Sequence, residues 1–185
     1  MMNKNKEFLK SYIEDLHKLD QALDKSLLIN IAQKIVATAE SNGTVIIVGN
    51  GGSAAIASHA TIDFLKAVGI RAMNFNESSL LTCYSNDYGY ENWVKEALKS
   101  YAQINDTVIL ISSSGESANI INAAHYVNYR KLNLITFTGF KNGNSLSKLG
   151  NTNIWVDSTN YNYVEITHNK FLLILVDLVK FILKK

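Results

Sequence analysis

The stretch TVIIVGNGGSAAIASHATIDFL, residues 44–65, decides how the chain is organised. It begins with an apolar β-branched run, breaks at Gly49-Asn50-Gly51-Gly52 and continues with Ser53 and an alanine-rich segment of good helix formers. This order predicts a strand, a glycine turn and a helix, which together present backbone N–H groups and a helix N-terminus to an anion. The turn and Ser53 are therefore candidate ligand-binding residues, and Ser53 is also a candidate helix cap.

A second polar loop, SSSGES at residues 112–117, follows another β-branched run. The hydroxyls of Ser112, Ser113, Ser114 and Ser117 surround one glycine where a helix is predicted to begin, and such groups suit a phosphate. The loop has no lysine, which favours a phosphosugar over a nucleoside triphosphate. Loops after neighbouring strands of a doubly wound sheet flank the topological switch point, where ligands bind.

The rest of the chain alternates short apolar runs with helical patterns. This alternation predicts an α/β three-layer sandwich with right-handed crossovers. The predicted strands are 44–48, 70–74, 107–112, 132–138 and 153–156. The predicted helices are 7–23, 26–40, 53–68, 90–101, 117–129, a short one near 145–149, and 163–183. We expect one domain, with a helical pair in 1–42 and the α/β core in 43–185.

Composition excludes several classes of protein. The net charge is +2 with scattered lysines, which does not indicate a nucleic-acid partner. The longest apolar run, 171–176, is too short to span a membrane, and the first residues do not form a signal-peptide core. Cys83 is the single cysteine, so the chain fits a reducing cytoplasm, and its apolar neighbours predict a core position. The terminal helices are too apolar to be left exposed, which predicts an oligomer.

Three motifs in a fixed order resemble a known family. They are VGNGGSAA followed by His59, SNDYGYE at 85–91, and ISSSGESANI at 111–120. Together they resemble the sugar isomerase (SIS) domain, and within it the sequence is similar to the bacterial sedoheptulose-7-phosphate isomerase (phosphoheptose isomerase) group. The resemblance implies a five-stranded parallel sheet in the flavodoxin-like order 2-1-3-4-5. It also implies an aldose–ketose isomerase, a homotetramer and a sugar phosphate ligand of the heptose 7-phosphate class. It also implies a role in heptose synthesis for surface polysaccharide.

The resemblance assigns roles to the two loops. The four serines of the second loop would hold the phosphate, and the glycine turn with Ser53 would line the sugar. Asp87, in the second motif, would contact a sugar hydroxyl. The implied reaction moves a proton between C1 and C2 through an enediol, which requires placed acid and base groups.

The resemblance further implies a zinc ion held by the helix after the glycine turn and by the last helix. His59 and Asp63 are one turn apart on one helix face, which suits a metal or an acid–base pair. Glu165 and His168 occupy two family positions on the last helix. Leu173 stands where the family has a second histidine, a metal ligand and general acid/base. The candidate catalytic residues are Asp63 with Glu165 or His168, and the candidate zinc ligands are His59, Asp63 and Glu165, with His168 as a fourth.

Leu173 leaves three interpretations open, because leucine neither ligates zinc nor transfers a proton. Glu165 and His168 could take over the lost role. The chain could catalyse a related isomerisation with a rebuilt site. It could instead bind a phosphosugar or a protein partner without catalysis, as an adapter.

Overall fold

A computed structural model describes residues 2–184 and contains a parallel sheet of five strands between two layers of helices. In chain order the elements are α1 (Met2–Ala22), α2 (Lys25–Glu40), β1 (Val45–Gly49), α3 (Gly52–Asp63), β2 (Ala72–Met73), α4 (Ser78–Tyr88), α5 (Trp93–Tyr101), β3 (Thr107–Ser112), α6 (Ala118–Tyr129), β4 (Asn133–Thr138), β5 (Thr152–Trp155) and α7 (Tyr161–Ile182). A π-helical turn, Phe64–Val68, continues α3 and ends at Gly69.

The strand order is β2-β1-β3-β4-β5, which confirms the predicted topology. Every residue of β1 and β3 is buried, as expected for strands covered on both faces. β1 and β3 pair in parallel from Val45 opposite Thr107 to Gly49 opposite Ile111. The loops that follow these two strands therefore begin side by side at one edge of the sheet.

Two apolar clusters cover the two faces of the sheet. On one face α2, α3 and α7 pack against β1, β3, β4 and β5, with Phe64 and Phe137 among the largest buried side chains. On the other face α5 and α6 pack around Trp93 and Phe75. The first cluster brings α7 alongside α3, and this contact places the start of the last helix next to the glycine turn.

The segment around Cys83 differs from its prediction. It forms the surface helix α4, in which no residue is buried, and Cys83 is exposed, so the predicted core position was wrong. The carboxylate of Glu77 caps this helix by accepting from the N–H groups of Ser79 (3.0 Å) and Leu80 (2.8 Å). These hydrogen bonds lower the pKa of Glu77. Leu80 and Leu81 pack against the second apolar cluster, whereas Cys83 lies on the exposed side of the helix.

Three predicted elements are shorter or absent. The strand predicted over 70–74 is only β2, because this edge strand pairs on one side at two positions and Asn74 then turns the chain by accepting from the N–H of Asn76 at 3.0 Å. The helix predicted over 90–101 begins at Trp93. Residues 145–149 form turns instead of a helix, and Oδ1 of Asn144 accepts from the N–H of Ser147 within them at 2.9 Å.

Helix α1 lies at the periphery of the fold. Its residues 3–22 include no buried side chain, and it is held to α7 by an edge-on contact of Tyr12 with Tyr163, with ring centroids 4.5 Å apart. Three large apolar side chains point to solvent, namely Phe8, Leu9 and Ile13. Among residues 2–184, no helix combines the length and apolar character that crossing a membrane requires.

Candidate functional site

The two polar loops and the start of α7 enclose one cavity at the carboxyl edge of β1 and β3. Its volume is about 280 Å³. The residues that line it are Asn50, Gly51, Gly52, Ser53, Ile111, Ser112, Ser113, Ser114, Ser117, Tyr161 and Glu165. Of the substrate-binding residues predicted from the sequence, the structure brings all but Asp87 together here.

The serine loop is arranged to receive an anion. The hydroxyls of Ser112 and Ser117 are 3.2 Å apart, and the hydroxyl of Ser113 is buried without a hydrogen-bond partner. Ser117 occupies the cap position of α6, yet its side chain makes no capping hydrogen bond to the helix and pairs with Ser112 instead. Among the described residues, no lysine, arginine or histidine lines the cavity. An anion here would be bound by hydroxyl groups and by the N-terminus of α6.

A second segment of chain supports the serine loop from behind. Gly115 adopts a φ of +69°, and a Cβ at this position would overlap the carboxamide of Asn144. Asn144 is buried and donates from Nδ2 to the carbonyls of Gly139 and Lys141, both at 3.0 Å. The N–H of Leu146 donates to the carbonyl of Gly115 at 3.0 Å. The loop conformation therefore depends on residues about thirty positions further along the chain.

The neighbouring Glu116 strengthens this support. Its carboxylate accepts from the backbone N–H of Ser145 at 2.9 Å and from the Ser145 hydroxyl at 2.7 Å. These hydrogen bonds lower the pKa of Glu116. Sequence reasoning missed both Asn144 and Glu116 as supports, because nothing local in the sequence joins them to the serine loop.

The glycine turn is in close contact with α7. Gly51, with a φ of +53°, is the cap residue of α3, so the predicted capping role of Ser53 was wrong. Gly52 opens the helix, and the carboxylate of Glu165 from α7 occupies the space that a side chain at Gly52 would fill. A residue with a Cβ at position 52 would displace that carboxylate from the cavity wall.

Tyr161 is a cavity residue that sequence reasoning did not find. It lies one turn before Glu165 on α7, and its ring packs edge-on against Phe140 with centroids 4.8 Å apart. Asn160 caps the helix by accepting from the N–H of Asn162 at 3.0 Å. Tyr161 could have been inferred as a cavity residue from its spacing, because it lies four residues before Glu165 on the same helix face.

The structure does not bring His168 to the cavity. Its side chain is fully buried in the row of α7 residues that faces the sheet, its Nε2 lies 3.1 Å from the carbonyl oxygen of Thr138, and its ring packs edge-on against Phe137. Burial lowers the pKa of His168 to about 4. The imidazole is therefore neutral near pH 7 and serves as a core residue, in contrast to its predicted role as a catalytic group or fourth zinc ligand.

The predicted pair His59 and Asp63 forms outside the cavity. Nε2 of His59 lies 3.4 Å from Oδ2 of Asp63, and the two side chains are 53% and 36% exposed. A helix rises about 1.5 Å per residue, so Asp63 lies roughly 16 Å along α3 from Gly52, which lines the cavity. Asp63 therefore does not reach this cavity in the chain described here.

The predicted zinc ligands do not form a metal site within one chain. Among residues 2–184, no three histidine, cysteine, aspartate or glutamate side chains come together as a possible metal-binding group. His59 and Asp63 are neighbours, but Glu165 lies near the start of α3 beside Gly52. Leu173, which stands in place of a predicted ligand, is half-buried on α7. The donor set gathered in this structure does not fit zinc.

Asp87 also lies away from the cavity. It is exposed on α4, where its carboxylate accepts from Nδ2 of Asn86 at 2.9 Å and lies 3.7 Å from Sγ of Cys83. Asp87 therefore does not line the cavity, in contrast to its predicted contact with a sugar hydroxyl.

Comparison with known proteins places this fold and cavity in a family. The model of the SIS domain matches residues 7–139. The chain therefore belongs to the SIS domain family.

Individual relatives carry a more specific name. A phosphoheptose isomerase of Thermodesulfovibrio yellowstonii is 33% identical over 76% of this chain and 74% of its own length. A phosphoheptose isomerase of Glaesserella parasuis is 29% identical over 97% of this chain and 93% of its own. The solved phosphoheptose isomerase of Neisseria gonorrhoeae superposes with a TM-score of 0.87 at 22% identity, covering 96% of this chain and 97% of that one. The last similarity extends the shared fold to nearly the whole molecule.

Proposed function

We propose that this chain is an aldose–ketose isomerase that interconverts sedoheptulose 7-phosphate and the corresponding aldose heptose 7-phosphate. One observation carries the proposal: the serine loop, whose groups suit an anion, and Glu165 line the same cavity. The names of the curated relatives support the same substrate class.

In the proposed mechanism, the phosphate binds at the serine loop and the reacting carbons lie beside Glu165. The carboxylate removes a proton from C1 of the ketose, the C–H electron pair forms a C1–C2 double bond, and the C2 oxygen takes up a proton to give an enediol. Return of the carbon proton to C2, with loss of the proton on the C1 oxygen, gives the aldose. A positioned carboxylate suits this transfer because it stays within reach of both carbons.

Deuterium exchange tests the reaction directly. Sedoheptulose 7-phosphate is incubated with the purified protein in heavy water, with and without added zinc, and incorporation at C2 of the aldose is followed by NMR. We expect exchange in the wild type and its loss in Glu165→Gln. Asp177→Asn, an exposed carboxylate on the same helix, is the matched control and should exchange normally. Binding of the sugar phosphate without any exchange would instead favour a non-catalytic phosphosugar-binding module.

The roles of Asp63 and of zinc remain separate predictions. Asp63→Asn in the same exchange assay reports whether this carboxylate takes part in the reaction. Elemental analysis of the purified protein reports whether zinc is bound. No step of the proposed mechanism depends on either result.

We further propose that the protein is a homotetramer in the cytoplasm. Its product would supply heptose for surface polysaccharide. Support for assembly comes from the unburied helix α1 and from apolar side chains exposed on α3 and α7, where Ile62 and Ile166 are 57% and 45% exposed. Support for a reducing compartment comes from the single cysteine.

A further inference from the structure

The carboxamide of Asn50, at the carboxyl end of β1, is paired with that of Asn119. Nδ2 of Asn50 donates to Oδ1 of Asn119 at 2.9 Å, and Nδ2 of Asn119 donates back to Oδ1 of Asn50 at 2.8 Å. Asn50 lines the cavity, whereas Asn119 is 2% exposed in the first turn of α6 and does not line it. The pair therefore joins the glycine turn to the helix that follows the serine loop.

A third side chain limits what Asn50 offers to a ligand. The hydroxyl of Tyr90 donates to Oδ1 of Asn50 at 3.3 Å. An amide oxygen accepts two hydrogen bonds and an amide nitrogen donates two. Because Asn119 and Tyr90 occupy the oxygen, and Asn119 also accepts one N–H, a single N–H of Asn50 remains. Asn50 is thus available to the cavity as a donor and not as an acceptor.

Asn50 is close in the chain to the place of the proposed reaction. The carboxylate of Glu165 packs over Gly52, two residues after Asn50, and the serine loop lines the same cavity. In the proposed mechanism, a sugar phosphate bound with its phosphate at the serine loop has the oxygens of C1 and C2 beside Glu165, in the part of the cavity that the glycine turn lines. The enediol step increases the negative charge on those oxygens, and a fixed N–H donor stabilises such charge.

We propose that Asn119 is a positioning residue that, together with Tyr90, holds the carboxamide of Asn50 so that its free N–H donates to an oxygen on the reacting carbons. This inference rests on the proposed isomerase function. Asn50 contacts the substrate, and Asn119 acts only through Asn50. Loss of Asn119 leaves the Asn50 amide free to rotate, which weakens the transition state more than the bound ground state.

Steady-state kinetics with sedoheptulose 7-phosphate test the positioning role. Asn119→Ala is expected to lower kcat by about tenfold with KM changed by less than about twofold. In an Asn50→Ala background, Asn119→Ala should have no further effect on kcat, because it acts through an amide that is already absent. The matched control is Asn122→Ala on the same helix, which loses the hydrogen bond from Nδ2 to the carbonyl of Glu91 (2.8 Å) outside the cavity. Its kcat should equal that of the wild type.

Inhibition by inorganic phosphate gives a second readout, because it reports on the serine loop alone. Phosphate inhibition should be unchanged in Asn119→Ala. If phosphate affinity and kcat fall together, or if the effects of Asn50→Ala and Asn119→Ala are additive, Asn119 is a general support of the fold and the inference is overturned. Should Asn119→Ala fail to fold, the exposed Tyr90→Phe takes its place, with a smaller fall in kcat that disappears in the Asn50→Ala background.

A wild-type protein without isomerase activity is a failure of the proposed function and not of this inference. The same variants are then compared by calorimetry with a hydroxamate analogue of the enediol, which carries the same phosphate, and with inorganic phosphate. The inference requires Asn119→Ala to weaken binding of the hydroxamate by about tenfold, as for loss of one hydrogen bond, and to leave phosphate binding unchanged. Equal weakening of both ligands, or no binding of the hydroxamate by the wild type, overturns it.

Discussion

The carboxylate of Glu165, from the first turns of α7, occupies the space that a side chain at Gly52 would fill at the start of α3. Two helices that are more than a hundred residues apart in sequence thus meet at the cavity through one glycine and one acid. The absence of a Cβ at position 52 lets the carboxylate reach the cavity wall, and this dependence can be tested.

Gly52→Ala should reduce activity without unfolding the protein. The added Cβ overlaps only the flexible end of Glu165, so the carboxylate moves aside, and alanine is a better helix former than glycine. We expect kcat/KM to fall by at least about tenfold, because the proposed base is misplaced. Thermal unfolding followed by circular dichroism should show no decrease in melting temperature. Full activity in Gly52→Ala would show that the position of Glu165 is unimportant for the reaction.

Gly115→Ala should disturb the serine loop. Alanine is strained at a φ of +69°, and its Cβ would overlap the buried Asn144. Gly143→Ala is a matched control, because its φ is +68° but the nearest atom to an added Cβ is Cε of Lys148, at 3.7 Å. Strain alone destabilises each variant by about 1–2 kcal/mol. Gly115→Ala should lose more than its control in urea unfolding, and it alone should weaken inhibition by inorganic phosphate. Equal behaviour of the two variants would contradict the supporting role of Asn144.

The buried imidazole of His168 should make the protein less stable in mild acid. Its pKa in the fold is lowered to about 4, so between pH 6.5 and 4 the unfolded chain binds a proton that the native protein does not. The contribution of His168 to the free energy of unfolding is therefore fully present above pH 6.5. It decreases by about 3 kcal/mol as the pH falls towards 4.

His168→Gln provides the comparison, because its amide can still donate to the carbonyl of Thr138 but does not titrate in this range. Urea unfolding of both proteins at several pH values isolates the contribution of the histidine, since the other groups titrate alike in both. The variant should lose less stability than the wild type between pH 7 and pH 4. Parallel curves would mean that the imidazole is hydrated and protonated in the native state.

The exposed apolar surface of α1 should mediate assembly. Ile13 on α1 and Ile104 on the loop before β3 are 66% and 67% exposed, which makes them a matched pair. Ile13→Ser should shift the mass measured by light scattering from a tetramer towards smaller species, because the substitution removes apolar area from the proposed interface. Ile104→Ser should leave the mass unchanged. A monomeric wild type would exclude the tetramer outright.

Much of the fold could be predicted because its signals are local. The continuous β-branched runs of β1 and β3 indicate buried parallel strands, and the alternation with helical patterns predicts the layered α/β architecture that the structure has. The predictions of burial and strand length were wrong where contacts with distant parts of the chain determine them. The segment around Cys83 forms a surface helix that leaves Cys83 exposed, and β2 is limited to two residues because it pairs on one side only.

The candidate site was likewise predicted from local sequence signals only in part. The sequence by itself determined the two polar loops, because glycine and serine at the ends of adjacent parallel strands must meet at one edge of the sheet. Only the tertiary structure decided that Glu165 enters the cavity while His168 faces the core, since helical spacing defines faces but not what each face meets. It alone brought Asn119 to Asn50 across 69 residues and Asn144 to Gly115. Such contacts depend on how distant elements pack, and packing is a property of the whole fold rather than of any one segment.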